Sequence, residues 1–352
     1  KTKVGMLKTD KQFSSREELD LFIRKLIIFS GRQTVKQINN VELSKIKGRA
    51  NIVYSPFGPQ ITITRAKENP MSIIDLIQNG SLTPDLAAQF WLYVEGWRVK
   101  PANILIAGGP GTGKTTLLNA LLNFVPSNER IVVIEDTLEL NTDYEENCSR
   151  LESNDEISLA ELVKNSLRMR PDRVIVGEVR GSEAQDLMTA MNIGKYCIGT
   201  LHASTPREMI LRLQNEPMNV PEVLVNLVDT IIIMRRFTIN GRIQRVVGEL
   251  VETAGMEEKM VLLSSLHAYD FSKSKFCESA IGSVYRDKLA QVIGRPPKDI
   301  LDEVKIRAHL INKLVEKNIH NFKEVTDFCR HYSDNPSKVL EELGLNREIL
   351  LK

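Results

Sequence analysis

The 352-residue chain has no excess of either charge: 47 lysines and arginines face 45 aspartates and glutamates, for a formal net charge of +2. Proteins that grip nucleic acid along their length leave a strongly basic footprint. The balance therefore argues against wholesale nucleic-acid binding and allows only a local basic face. Aromatic residues are scarce, at 6%, which counts against the stacking platforms of single-strand binders. Four cysteines, Cys148, Cys197, Cys277 and Cys329, lie far apart with no C-x-x-C pair. That spacing argues against a zinc site or a disulfide framework and suits a reducing cytosol. The most apolar stretch, residues 223–234, is broken by Asn226 and Asp229 and is too short and too polar to span a bilayer. No signal peptide, internal repeat or low-complexity segment is visible. The chain begins at Lys1 rather than Met, so an upstream segment is expected.

What the sequence does hold is the run GGPGTGKT at 108–115, which reads G-x-x-x-x-G-K-T. A short apolar run at 104–107 reads as a buried strand before it, and Leu117, Leu118, Leu121 and Leu122 recur at helical spacing after it. Glycines let backbone N–H groups converge on phosphate oxygens at the positive end of a new helix. Gly109, Pro110, Gly111, Thr112, Gly113 and Thr116 belong to this cradle; Lys114 would reach the β- and γ-phosphates, and Thr115 would bind magnesium. The fixed positions recur by chance on the order of once per hundred chains of this length, and the strand-then-helix context makes a chance match rarer. The run implies that the chain binds a nucleoside triphosphate.

The surrounding pattern has three parts. A capping box at Ser15 and Glu18 precedes an apolar face at Leu19, Phe22, Ile23, Leu26 and Ile27. Strand-like runs at 50–54 and 60–64 flank a Pro/Gly turn, which predicts a helix on an antiparallel hairpin. A small α+β (PAS-like) domain is thus expected over 1–68, with a linker and the first helix of the core over 69–98. Strands at 104–107, 131–134, 174–176, 197–201 and 230–233 alternate with helices, which implies a mainly parallel sheet covered on both faces. This α/β core is expected over 99–260, including a hairpin at 241–251, with a helical region over 261–352. In that last region Ile300, Val304, Ile311 and Val315 keep one helical face, and Phe322, Val325, Cys329 and Tyr332 another; both read as packing surface.

Three strand ends carry chemistry-bearing side chains toward the edge where open parallel sheets bind ligands. The run VIVGE ends at Glu178, which would orient or deprotonate a water, or hold a magnesium-bound water. The run IVVIED ends at Glu135 and Asp136. Glu135 is the better candidate for magnesium or water, and Asp136 reads as a turn residue. The run GTLHAS brings His202 to the same edge. A lone histidine at a strand end is usually structural, and its place in this array tips the balance toward function. Arg168, Arg170 and Arg180 bracket the Glu178 strand. Phosphoryl transfer uses positive charge, often from a neighbouring subunit, but Arg168 and Arg170 also suit the negative end of a helix, and both readings stand.

In order, GGPGTGKTT, VIEDTLEL, LRMRPDRVIVGEVRG and GTLHAS resemble the Walker A, Asp, Walker B and His boxes of the secretion ATPase superfamily. That superfamily drives type II and type IV secretion, type IV pili and the archaeal flagellum. The resemblance covers about residues 14–233, and the later tail looks like the archaeal branch. It implies a RecA-like core in a cytoplasmic homo-hexamer, docked at the inner face of the membrane through a polytopic platform protein. Pilin-like or secreted substrates would be moved indirectly, with ATP and Mg²⁺ as cofactors and no nucleic acid. Carried over by position, Lys114 and Thr115 bind phosphate and magnesium, Glu135 and Glu178 serve magnesium and water, and His202 senses the nucleotide state. Lys47, Arg49 and Arg65 match N-domain residues that approach nucleotide, or stand as ordinary surface residues on a hairpin. Three departures narrow the field. Gly194-Lys195 replaces the family's Gly-His, the tetracysteine zinc module is absent, and so is the AIRNLIRE segment of retraction ATPases. An archaeal-type assembly or secretion motor is the expectation, set against a RecA-like nucleic-acid translocase and a nucleotide-dependent scaffold with little hydrolysis.

Overall fold

In the computed structural model, residues 7–30, 36–43, 48–65, 69–142, 145–154, 156–239, 241–258, 260–278 and 282–351 are described. The chain divides into two compact units, Lys1–Asn69 and Pro70–Lys352. In the first, helix α1 (Arg16–Phe29) is capped by Ser15, whose hydroxyl accepts from the Glu18 N–H. It covers a three-stranded antiparallel sheet of β1 (Ile38–Leu43), β2 (Gly48–Ser55) and β3 (Gly58–Arg65). Ile23 and Ile27 on the helix meet Val41, Leu43, Ala50 and Ile52 on the sheet. The hairpin is the expected one. β1 was not foreseen because Asn39 and Asn40 hide its alternation; the buried Asn39 bonds back to Lys36 rather than packing as a hydrophobe.

The second unit opens with α2 (Ile73–Gln78), α3 (Pro84–Glu95), β4 (Ile104–Gly108) and α4 (Lys114–Leu121). Next come β5 (Ile131–Glu135), β6 (Cys148–Glu152), α5 (Leu159–Ser166), β7 (Arg173–Val176), α6 (Glu183–Asn192) and β8 (Tyr196–Leu201). Helices α7 (Pro206–Gln214) and α8 (Glu222–Val225) lead to β9 (Thr230–Ile239), β10 (Arg242–Glu257), β11 (Met260–Asp270) and β12 (Lys275–Glu278). Among the described residues the strands form one nine-stranded sheet in the order β12-β11-β10-β9-β4-β8-β7-β5-β6. The segment β9-β4-β8-β7-β5-β6 is parallel, and β10 to β12 add antiparallel hairpins.

Side-chain alternation decides which face each strand residue serves. Ile104, Ile106, Ile131, Val133, Ile175, Ile198 and Ile232 face one core, under α2, α3, α4 and the C-terminal helices. Leu105, Ala107, Val132, Ile134, Val174, Val176 and Ile231 face the other, under α5, α6 and α7. A sheet covered on both faces is what the continuous apolar strands require.

The tail departs from expectation at 261–278, which is β11 and β12 rather than helix. Register shifts between β10 and β11 at Leu250/Val251 and at Thr253/Met256 break the period-2 signal, and Ser264, Ser265 and His267 dilute it further. Helices follow only later: α9 (Val284–Ile293), α10 (Pro297–Glu316), α11 (Phe322–Asp334), α12 (Pro336–Glu342) and α13 (Arg347–Leu350). Their apolar stripes are core, as read from the sequence: Ile300, Ile311, Val325, Cys329 and Tyr332 are buried against α3 and its neighbours. A buried polar set locks them there. Arg307 pairs with Glu95 at 2.5 Å and Glu303 at 3.1 Å. Its guanidinium lies 4.8 Å from the Trp91 ring centroid.

Candidate active site

The loop at 108–115 joins β4 to α4 at the carboxyl edge of the parallel strands. Gly113 caps the helix at φ 100°, in the left-handed region that a side chain would strain. Thr112 Oγ1 donates to the Gly109 carbonyl at 2.8 Å. Lys114 folds back over the loop, giving hydrogen bonds to the carbonyls of Gly108 at 3.0 Å and Gly109 at 3.3 Å. Burial lowers the pKa of its ammonium, and the Glu178 charge opposes that shift. Thr115 and Thr116 are half-buried on the first turn, while Pro110 and Gly111 are exposed.

The candidates on three strand ends converge here. Lys114 Nζ lies 3.4 Å from His202 Nδ1, and His202 Nε2 lies 3.0 Å from Glu178 Oε1. An ammonium has only protons to give, so Nδ1 accepts and the ring proton sits on Nε2, donating to Glu178. Glu178 is held by its neighbours: Gly177 N–H bonds to Ile134 O at 2.9 Å, Thr200 Oγ1 to Gly177 O at 2.6 Å, and Val179 N–H to Thr200 O at 2.7 Å.

Gly177 has a second use. A Cβ there would stand 2.8 Å from Glu135 Cγ, so its bare backbone lets the buried Glu135 side chain pass. Glu135 Oε1 accepts the N–H groups of Glu139 at 3.0 Å and Leu140 at 3.1 Å. Its Oε2 is buried with no hydrogen-bond partner among the described residues. Burial pushes the Glu135 carboxyl up to about 7 despite those two amides and the Arg150 charge. Asp136 does more than shape a turn. It accepts from Ser153 Oγ at 2.7 Å and pairs with Arg180 at 2.5 Å, tying together the ends of β5, β6 and β7. Arg180 therefore has a carboxylate partner on the site's own edge.

The other arginines lie elsewhere. Arg168 and Arg170 precede β7, so they stand at the amino edge of the parallel strands, a strand length of roughly 10 Å or more from the loop. Arg170 ends its turn in the left-handed region at φ 53°. Within one chain they are not brought to the site. Their neighbour Arg173 is fully buried and structural, bonded to Glu129 at 2.7 and 3.0 Å and to Val94 O at 2.7 Å. Arg49 and Arg65 belong to the first unit, on neighbouring strands where Arg49 pairs with Thr64 and Gly48 with Arg65. The Arg65 side chain and Lys47 lie outside the described residues.

Sequence reasoning missed Arg245. Its Nε donates to the Gly111 carbonyl at 2.9 Å, from a strand two places along the sheet and far along the chain. The only sequence signal was the basic character of 235–245 beside a strand; the pairing of β9 with β4 is what brings it to the loop.

Strand order, loop and converging acids define a P-loop nucleoside triphosphatase with a RecA-like sheet. The family described as "Type II/IV secretion system protein" matches residues 37–286. The chain belongs to that family, and ATP binding and hydrolysis are the activities that membership implies. An uncharacterized protein of Methanocaldococcus jannaschii, MJ1287, is 35% identical over 267 residues, 73% of this chain and 96% of that one. A probable conjugal transfer protein, TrbB of Sinorhizobium fredii, is 31% identical over 54% of this chain and 59% of its own length. The Legionella pneumophila ATPase DotB superposes with a TM-score of 0.52 at 18% identity, over 88% of this chain and 78% of DotB, and so shares the fold. No helix among the described residues is long and apolar enough to cross a membrane.

Proposed function

We propose that the protein is a hexameric, Mg²⁺-dependent ATPase motor that powers assembly or secretion through a membrane platform protein at the cytoplasmic face. The archaeal-type pilus, flagellum or secretion machines are the class it serves. The observation that carries this reading is the chain of contacts from Lys114 through His202 to Glu178 beside the buried, half-satisfied Glu135. A family that typically forms hexamers supports the ring, and the conjugal-transfer relative supports a transport role.

The donor set suits a hard cation. Thr115, Glu135 and Glu178 offer oxygen, directly or through water, and the orphaned Glu135 Oε2 gives a buried carboxylate something to hold. Among the described residues no three His, Cys, Asp or Glu side chains gather into a self-sufficient metal site. That agrees with magnesium, which relies on one or two carboxylates and the substrate's own phosphates. The ion would neutralise charge on the β- and γ-phosphates. The protein's residues do the rest. Loop amides and Lys114 hold the polyphosphate, and Glu178 orients or deprotonates the attacking water. His202 couples the two: when Lys114 turns from its carbonyls to phosphate, His202 loses its donor and its grip on Glu178 changes.

Steady-state phosphate release tests the assignment. Lys114→Ala and Glu178→Gln are expected to assemble like wild type by sedimentation yet turn over ATP about 10²- to 10⁴-fold more slowly. Wild-type turnover in either variant would sink the site.

A further inference from the structure

Beyond the loop, strand β9 keeps going. It pairs in parallel with β4 up to Gly108↔Met234, where β4 gives way to the loop, and then carries Arg235 and Arg236 past it. β10 returns antiparallel, setting Arg245 directly opposite Arg236. Both arginines stand against the loop. Arg245 Nε holds the Gly111 carbonyl, and its Cδ lies 3.4 Å from where a Gly113 Cβ would be. Arg236 Nη1 lies 3.5 Å from the corresponding point at Gly111. A Cβ at either glycine would be in ordinary van der Waals contact with one of these arginines, which shows how close the pair lies to the loop.

The electrostatics of this pair are incomplete. Like charges directly opposite on antiparallel strands destabilise the pairing. Among the described residues no carboxylate forms an ion pair with Arg236 or Arg245, although Arg98, Arg173, Arg180, Arg212, Arg307 and Arg330 each have one. Both side chains are exposed, so solvent screens the repulsion without removing it. The feature that offsets two cations held together beside a phosphate loop is an anion.

We propose that Arg236 and Arg245 form a second basic arm of the nucleotide site, supplied by the same chain, that takes up negative charge of the bound polyphosphate. The inference rests on the nucleotide reading of the loop and deepens it. The two residues have different parts. Arg236 is the direct anion contact. Arg245 is a positioning residue: in a trans peptide the Gly111 C=O and the Thr112 N–H point in opposite directions. Gripping the carbonyl therefore fixes where that amide aims, and the guanidinium polarises the peptide so that the amide donates more strongly. The arm differs from Arg168 and Arg170, which stand on the other edge of the sheet and reach a nucleotide only across a subunit boundary.

Titration calorimetry on the full chain, with ADP and with inorganic tripolyphosphate in magnesium buffer, tests this. Arg236→Gln and Arg245→Gln are each expected to weaken both probes about tenfold. Arg236→Lys should recover most of the loss because it keeps the charge. Arg245→Lys should not, because a point charge does not reproduce the guanidinium's planar donor geometry. For ATP turnover, Arg245→Gln should raise KM more than it lowers kcat. Lys114→Ala is the reference. If it abolishes binding while all arginine variants bind like wild type, the arm is wrong and the loop reading stands. If Lys114→Ala itself binds like wild type, the nucleotide reading fails. Variants that keep full affinity but lose subunit association would assign the arginines to a neighbouring copy's carboxylate and overturn the proposal. Because both residues are exposed, thermal unfolding like that of wild type is expected and checks that affinity is read on folded protein.

Discussion

Two clusters of charge sit on the second unit, and they are built on opposite principles. Under the C-terminal helices, Arg307 is only 3% exposed yet meets Glu95 and Glu303. Glu303 in turn accepts from Tyr332 and Arg347 at 2.8 and 3.1 Å. Burial works to lower the Arg307 pKa, and Glu95 followed by Glu303 overcomes it and holds the pKa above its ordinary value. That cluster is closed in charge: Arg307 Nη1 and Glu95 Oε2 make no aligned hydrogen bond, yet they lie 2.5 Å apart as an ion pair. At the phosphate loop the charges are less complete and, Glu135 apart, less buried. His202 and Glu178 keep side-chain exposures of 38% and 39%, Lys114 is parked on backbone carbonyls, and Glu135 has an oxygen without a partner. Burial alone would not have told Arg307 from Glu135, which is also only 3% exposed. What separates the two is completion: a closed cluster fastens helices, and an open one at strand ends beside a glycine loop awaits a ligand.

The largest expected effect breaks that contrast if it fails. Arg307→Ala leaves Glu95 buried without its cation and Glu303 with Arg347 alone, and should destabilise the fold by about 3–5 kcal/mol, read by urea unfolding. Lys114→Ala should change the same quantity by about 1 kcal/mol or less, because its present partners are loop carbonyls, while it abolishes nucleotide binding. The reverse ranking would mean that the loop cluster is structural.

The open cluster was legible in the sequence and the closed one was not. Loop, Glu135, Glu178 and His202 each sit in a short run whose local pattern gives strand, edge and chemistry together. The contacts of Arg307 run from α10 to α3, more than two hundred residues apart, and no local pattern announces such a pairing. Strands followed the same rule. The fully buried β4, β5 and β7 and the buried stretches of β8 and β9 were visible as apolar runs, whereas β6, half-buried along its whole length, was not, and β11 was masked by two register shifts. Arg245 was missed for the reason Arg307 was: its role depends on which strand neighbours which. Arg168 and Arg170 show the opposite relation, since closeness to Glu178 in sequence becomes a strand's length in space within one chain.

A middle-sized effect sharpens the contrast through pH. With its carboxyl raised by burial from 4.5 to about 7, Glu135 binds a proton more tightly in the folded protein than in the unfolded chain. Its contribution to stability is therefore fully present below pH 4.5 and is lost as pH rises through 7. The loss is on the order of 3 kcal/mol. Unfolding free energies of the nucleotide-free protein at pH 5 and pH 8 should differ by much of that amount, and Glu135→Gln should flatten the difference. A variant whose pH dependence matches wild type would show that Glu135 is already ionised and satisfied, which would close the cluster described here as open.

The smallest effect tests redundancy in the closed cluster. Tyr332→Phe removes one hydroxyl from Glu303, whose carboxylate keeps Arg307 at 3.1 Å on one oxygen and Arg347 at 3.1 Å on the other. No charge is left unpaired, so the cost should be that of one hydrogen bond to a charged group, about 1.5–3 kcal/mol at most, and nucleotide affinity should not move. A tyrosine in a buried network can also hold a helix in place, so the unfolding experiment needs a companion. Tyr332→Phe combined with Arg307→Ala should cost measurably less than the sum of the two single changes, since both act on Glu303. Strict additivity would mean that Tyr332 stabilises α11 by packing alone, through its edge contact with Trp91 at 5.4 Å, and that the closed cluster ends at Arg307.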